Sequence, residues 1–159
     1  MRRHPSAQVT INPAAQQVMF QDVYHRKQIE ACGLLLGQMD DMGNWHVQLA
    51  CPLRNMANSP VYFEFAPEDL LEAELTHPGQ VIGVYHSHPS GLLAASETDR
   101  QNMQRVNAEQ HIPWVWLIVS GPFYAYSSIE ELYSSVVAYH HYEEMELREV
   151  AVVFEEIEG

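Results

Sequence analysis

The sequence predicts a mixed α/β fold, one sheet with two or three helices packed on it. Three features carry that expectation. Short, nearly continuous apolar runs bounded by glycine or proline recur along the chain, as in buried strands. Between them lie segments with helical spacing and helix start signals. The 159 residues also contain no repeat, low-complexity tract or long Gly/Ser/Pro linker. Residues 1–159 are therefore expected to form a single domain, the usual content of a chain this long. The apolar fraction of 47% supplies one sizeable core and leaves little for a second.

Asn12-Pro13 reads as an N-cap with proline at the first helical position. Ala15, Met19 and Val23, with Val18 alongside, put apolar groups on one face of a helix running to about Ile29. Ala31–Gly37 is then a short apolar run that suits a buried strand. Trp45, Val47 and Leu49 alternate with polar neighbours, which predicts a second strand paired across an Asp40–Asn44 turn. Val61–Phe65 is expected as a third strand. Pro67-Glu68-Asp69 opens a short helix with acidic residues in its first turn, ending near His77-Pro78-Gly79. Val81–Tyr85 is nearly all apolar, as a central strand should be. Ser96 starts a helix to about Gln110, and Trp114–Ser120 is another buried strand. Val136–Tyr142 and Leu147–Phe154 finish the sheet, joined through acidic Glu143-Glu144.

Charge and composition exclude several classes of function. Eight Lys+Arg against 21 Asp+Glu give a net charge of −13, so nucleic acid is not an expected partner. Seven of the acidic residues fall between Glu143 and Glu158, which reads as a solvated, solubilising face. The longest apolar runs fall far short of the ~20 residues of a spanning helix, so no membrane partner is expected. No apolar stretch follows Met1-Arg2-Arg3, so no secretory signal is expected. Cys32 and Cys51 are too few for a disulfide scaffold or a thiolate zinc site. A reducing, cytoplasmic home follows.

The chemistry gathers where the central strand ends, at His86-Ser87-His88-Pro89-Ser90-Gly91 followed by Ser96-Glu97-Thr98-Asp99. Residues i and i+2 of a strand face the same way, so His86 and His88 can aim two imidazoles at one point. Pro89 stops the strand and Gly91 lets the chain turn. Ser96 as N-cap would place Asp99 in the first helical turn, from which its carboxylate can swing back to the histidines. Two imidazoles and a carboxylate leave tetrahedral Zn²⁺ one open position, the arrangement of a catalytic zinc. Nine histidines in 159 residues produce about 0.5 His-x-His pairs per shuffled chain, so that pair alone says little. Ser-x-x-Asp alone is an ordinary capping box. Their conjunction at a strand end is what points to a metal.

Glu30 lies where the first helix hands over to the first buried strand, inside the phrase Glu30-Ala31-Cys32-Gly33-Leu34-Leu35-Leu36-Gly37. Glu-x-x-Gly-x-Leu-x-Gly followed by His-x-His-Pro-x₆-Ser-x-x-Asp resembles the JAMM (MPN+) metallopeptidases. Gly83–Pro89 is similar to that family's strand-to-loop sequence, and Asn55–Pro60 with Phe63 or Phe65 beyond is similar to its middle section. The resemblance covers about residues 8 to 155. It implies a curved sheet of JAMM/cytidine-deaminase-like architecture and one Zn²⁺ per chain held by His86, His88 and Asp99. It further implies that Glu30 takes the proton of the attacking water and passes it to the leaving amine, while Ser96 donates to the oxyanion. Ala95 stands where the family often has proline, which bears on loop rigidity more than chemistry. With no room for long insertions, the chain is similar to the compact bacterial branch. Those relatives act on ubiquitin-like or sulfur-carrier proteins after a C-terminal Gly-Gly, and such an extended tail could add as a strand beside the sheet.

Other residues fit blander roles. Cys32 inside an apolar strand reads as inert packing rather than a nucleophile. Adjacent His140 and His141 point to opposite faces, which suits a solvated pair better than a second metal site. Trp114 and Trp116 share a face and read as core. The competing class is a non-catalytic MPN-type scaffold, which loss of ligands would signal; here all three ligands remain, with Glu30 and Ser96. A zinc deaminase fits less well still, since neither His-x-Glu nor Pro-Cys-x-x-Cys occurs.

Overall fold

A computed structural model describes residues 7–143 and 146–156 of the chain. The opening Met1-Arg2-Arg3 and, at the acidic C-terminal end, Glu144 and Glu158 lie outside the described residues. The strands are β1 (Gln8–Ile11), β2 (Cys32–Met39), β3 (Trp45–Leu53), β4 (Val81–His88), β5 (Val115–Ser120), β6 (Val136–His141) and β7 (Leu147–Phe154). The helices are α1 (Pro13–His25), α2 (Pro67–Thr76), α3 (Glu97–Met103) and α4 (Ile129–Ser134), with α3 running on as a π-helical stretch over Gln104–Glu109.

The mixed α/β class holds, but the sheet is a closed barrel in the order β1-β3-β2-β4-β5-β6-β7, with β7 returning to β1. A single mixed, curved sheet was the expectation. The closing piece is β1, four residues that lie parallel to both β3 and β7. So short a strand carries too little periodicity to read, although Val9 and Ile11 alternate with polar neighbours and are fully buried. Closure covers the β3 edge at Trp45–Val47 and the β7 edge at Ala151–Phe154, edges an open sheet would expose there.

Most elements fall where sequence places them. Asn12 caps α1 through Oδ1, which accepts from Ala15 N at 2.9 Å, with Pro13 in the first turn. The helix stops at His25 rather than Ile29 because Arg26 leaves helical geometry (ψ 57°) while its N–H still bonds Asp22 O. β2 and β3 form the expected hairpin, but the register shifts between Leu36 and Gly37. The bulge shifts the alternation after Val47, so Leu49 is exposed while Ala50 is buried. Val61–Phe65 is not a strand of the sheet: Tyr62 O and Glu64 N both bond the side chain of Asn55, as alternate residues of an extended chain can. The short helix α4, capped by Ser128, has no counterpart among the elements expected from sequence.

The two faces of the sheet pack against different helices. Leu35, Tyr85 and Leu117 join Met19, Phe20 and Val23 of α1 on one face. Leu34, Val84 and Ile118 join Met103 and Val106 of the α3 segment on the other, with Ala73 of α2. With a period of two, residues 84, 86 and 88 of β4 share the α3 face. Among the described residues no helix is long and apolar enough to cross a membrane, and Cys32 and Cys51 are both free.

Candidate metal centre

β4 ends at His88, and the chain turns through Pro89 and Gly91 into α3. Gly91 N donates to His88 O at 3.0 Å, and Gly91 takes φ +86°, a conformation that favours glycine. The first turn of α3 thereby faces the end of β4. His86 Nε2 and His88 Nε2 lie 3.2 Å apart. Asp99 Oδ1 is 3.2 Å from the former, and Oδ2 is 3.1 Å from the latter. All three side chains are buried, and the ligand atoms lie within 4.8 Å of one another.

The donor set fits a divalent cation. His88 Nδ1 sits 2.8 Å from Leu92 O, and a carbonyl only accepts, so Nδ1 carries the proton and Nε2 presents a lone pair. Such an outer hydrogen bond fixes the tautomer of a metal-binding imidazole. Two imidazole nitrogens and a carboxylate converge in a water-poor site, with too few protons among them to satisfy every lone pair; a cation satisfies all three. Two nitrogens and one oxygen leave one tetrahedral position open, as zinc catalysis requires. His86 is set by packing instead, its ring stacked on Phe63 at 4.6 Å. Burial pulls the His86 pKa down against the pull of Asp99, which keeps the ring neutral and able to ligate. Burial also opposes charge on His88, but its bonds to Asp99 and Leu92 outweigh that and raise it. Burial would raise Asp99 as well, yet the two imidazoles against its carboxylate, able to donate to it when charged, and the Ser96 N–H hold it well below the usual carboxylate range.

Ser96 does cap α3. Asp99 N donates to Ser96 Oγ at 3.1 Å, and Ser96 N donates to Asp99 Oδ2 at 3.0 Å, a reciprocal capping box. The cap also aims the carboxylate, because Asp99 Oδ2 is the oxygen that meets His88. Accepting uses a lone pair of Ser96 Oγ and leaves its proton free to donate.

Glu30 is 4% exposed. Its N–H donates to Ser59 O at 2.8 Å, and its carbonyl accepts from Asn55 Nδ2 at 3.1 Å. Its neighbour Ala31 is locked to the ligand strand: Ala31 N donates to Ser87 Oγ at 2.8 Å, and Ser87 N donates to Ala31 O at 2.9 Å. Burial pushes the Glu30 carboxyl up to about 7, with His88 opposing and Asp99 adding. All five residues singled out in the sequence therefore lie in one neighbourhood. Asn55, which bonds the Glu30 carbonyl, and Ser87, which bonds Ala31 beside it, were not singled out from sequence. Their signals were indirect: Ser87 lies between the histidines, and Asn55 opens the run Asn55–Pro60 that is similar to the family's middle section.

The remaining side chains divide. Cys32 is fully buried, and burial pushes its thiol up to about 12, so it stays an inert thiol. His140 corrects the expected solvated pair: it is buried, with Nδ1 2.8 Å from Trp114 O, while His141 is half-buried. Among the described residues no second metal cluster includes them. Trp116 is buried and Trp114 is half-buried against the same cluster, and both help line a cavity of about 420 Å³ with Phe63, Phe65, Asn102 and Arg105. Through Phe63 this cavity adjoins His86.

Comparison with known proteins bears on the same features. Residues 13–134 match the family of prokaryotic homologs of the JAB domain. A desampylase of Pyrococcus furiosus is 35% identical over 96 residues, covering 58% of this chain and 60% of that protein. A desampylase of Haloferax volcanii is 38% identical over 76 residues, covering 45% and 52%. The tail tip assembly protein K of Escherichia phage lambda is 36% identical over 67 residues, covering 42% and 30%. The chain thus spans less than two thirds of the length of each of these relatives. A Desulfitobacterium hafniense protein solved in solution superposes with a TM-score of 0.74 at 21% identity, over 94% of both chains. A structure described as JAMM, a metalloprotease-like zinc site in the proteasome and signalosome, superposes with a TM-score of 0.55 at 18% identity, over 94% of this chain and 100% of that one. At such identities the superpositions establish the fold.

Proposed function

The chain belongs to the family of prokaryotic homologs of the JAB domain, and from that premise we propose that it is a zinc-dependent peptidase or isopeptidase. Its substrate would be a ubiquitin-like or sulfur-carrier protein, cut after a C-terminal Gly-Gly. The observation that carries the reading is the buried convergence of His86, His88 and Asp99 beside a carboxyl, Glu30, whose pKa is raised to about 7. The desampylase relatives and the JAMM structural neighbour support the same class.

His86 Nε2, His88 Nε2 and an Asp99 carboxylate oxygen would hold one Zn²⁺. When bound, zinc supplies a Lewis acid and makes water nucleophilic near neutral pH. Glu30 takes the proton of the attacking water on its carboxylate and returns it to the leaving nitrogen, which departs poorly unless protonated. A carboxyl poised near 7 suits both halves of that transfer. Ser96 Oγ–H donates to the carbonyl oxygen as charge develops there, a contribution commonly ~10²–10³ in rate.

β4, which carries His86 and His88, is flanked by β2 and β5, so a substrate tail cannot extend the sheet beside the histidines. The extended stretch 61–65 offers an edge instead. Tyr62 and Glu64 turn their backbone groups inward to Asn55 and Met56. Phe63 and Phe65, with the opposite orientation, make no backbone hydrogen bond among the described residues and line the cavity beside His86. A Gly-Gly tail seated there reaches the site as an added strand.

The test is cleavage of a ubiquitin-like protein carrying a Gly-Gly extension. Expected are turnover by wild type, loss on chelation with recovery on added zinc, and nearly complete loss in Glu30→Gln with zinc retained. Chelator-resistant cleavage would overturn the reading, and substantial turnover by Glu30→Gln would remove Glu30 from the proton-transfer role.

A further inference from the structure

Glu30 differs from the other site residues in what holds it. The histidines stand on the ladder of β4 and Asp99 stands on α3, but Glu30 precedes β2 and bonds to no strand ladder. Both of its backbone groups go to the 55–59 segment: its N–H to Ser59 O, its carbonyl to Asn55 Nδ2.

Asn55 is buried just beyond β3 and spends its entire amide. Nδ2 donates to Glu30 O at 3.1 Å and to Tyr62 O at 2.9 Å. Oδ1 accepts from Ala57 N at 3.0 Å and from Glu64 N at 3.1 Å. Two donor hydrogens and two lone pairs are the full capacity of a carboxamide. The same group that holds Glu30 therefore holds the inward side of stretch 61–65, which has little else. Among the described residues its other backbone anchors are Met56 N to Glu64 O at 2.8 Å and the local Val61 N to Ser59 Oγ at 3.1 Å. Val61 is 79% exposed. Tyr62 and Glu64 are exposed too, while Phe63 and Phe65 are half-buried; a segment with so few backbone bonds sits at the low end of local stability.

We infer that Asn55 is a positioning residue that couples the seating of an extended substrate segment on 61–65 to the placement of Glu30. The coupling deepens the proposed function and rests on it for the nature of the occupant. Pairing at Phe63 and Phe65 orders the stretch from its open side. The Tyr62 carbonyl and Glu64 N–H, both on the Asn55 amide, become fixed, and the amide can no longer wander from the Glu30 carbonyl. Ordering one end lowers the cost of ordering the other, and the coupling is reciprocal. Asn55 touches no reacting atom; it acts through Glu30.

The test is amide hydrogen exchange on the zinc-loaded protein, with and without an extended peptide ending in Gly-Gly, in wild type and Asn55→Asp. Aspartate keeps the acceptor bonds to Ala57 and Glu64 but removes both donors, to Glu30 and Tyr62. In wild type the peptide should slow exchange at Phe63 and Phe65 and also, by about three- to tenfold, at Glu30 and Ala31, the scale of one net hydrogen bond. In Asn55→Asp the slowing should persist at Phe63 and Phe65 and vanish at Glu30 and Ala31. Zinc content should stay at the wild-type level, and kcat should fall on the order of tenfold with KM within about twofold, a split that a loosened fold would not produce. Equal slowing at Glu30 and Ala31 in both proteins, or none there in wild type, overturns the coupling. Asn55→Ser replaces Asn55→Asp if the latter does not fold, and the wild-type measurement decides the first half by itself. If the peptide protects nothing in 61–65, the coupling fails while chelator-sensitive cleavage leaves the hydrolase standing. Coupled protection without cleavage leaves the coupling standing and counts against the hydrolase.

Discussion

Burial governs the character of Glu30, whose carboxyl is pushed up to about 7 from an ordinary 4.5. A carboxyl raised in the folded state contributes stability that is complete below the unfolded pKa and is lost as pH climbs through the folded one. For Glu30 that window runs from about 4.5 to 7, and the loss is at most on the order of 3 kcal/mol. Metal-free Glu30→Gln should therefore match wild type in urea unfolding at pH 4 and exceed it at pH 8; equal stability at pH 8 would show that Glu30 is not desolvated. Ser96 has two separable roles. Ser96→Ala should cost roughly 1 kcal/mol of stability through the lost cap and lower kcat by ~10²–10³ with a smaller change in KM. An unchanged kcat would reduce Ser96 to a helix cap. The convergence of the five candidate residues was legible because the motif spacing groups them directly. The roles of Asn55 and Ser87 were not, since their partners, Glu30 and Ala31, are brought to them only by the fold.

At the level of elements, β2 and β4 are the antiparallel pair on which the site depends: Cys32 lies opposite His86, and Gly33 opposite Tyr85. Gly33 is required by closeness rather than by φ. A Cβ there would fall 2.5 Å from Cys51 O and 2.6 Å from the Tyr85 ring. The ring is itself fixed, with its hydroxyl donating to Asp22 Oδ2 at 2.7 Å. Gly33→Ala should thus destabilise the fold by about 1–3 kcal/mol, the usual range for overpacking, read as a lowered Tm. A wild-type Tm would mean that β2 and β4 are less tightly apposed than described. The buried strands β2, β4 and β5 were plain in the sequence because continuous apolar runs of that length have few other homes. Val61–Phe65 has the composition of a strand and the extended shape of one, but Asn55 takes the backbone groups on one side that a ladder would need. The early stop of α1 was hidden because Arg26 turns to other work. Its guanidinium bonds Asp22 at 2.7 Å and reaches Leu53 O and Cys32 O at 2.9 Å, joining α1 to both strands of the hairpin.

Across the whole molecule, closure is the feature sequence did not disclose. Gln16, buried on α1, donates to Ile11 O at 2.8 Å and Glu155 O at 2.7 Å and accepts from Tyr133 Oη at 2.7 Å. One side chain thus joins the ends of β1 and β7 to α4, and no local pattern announces such a junction. The class of fold and the position of the site do not depend on it, because the site stands on β4 and α3, away from the closing strands. With a net charge of −13, surface carboxylates can hold divalent cations loosely, so affinity for a metal has to be shown at His86, His88 and Asp99 and not by the chain in bulk. Zinc per chain, measured by elemental analysis on wild type and His88→Ala purified identically, tests this most directly. One equivalent is expected in wild type, and its loss in the variant. A wild-type chain that is metal-free and still refuses added zinc would contradict the metal centre, and a non-catalytic scaffold would then be the better description.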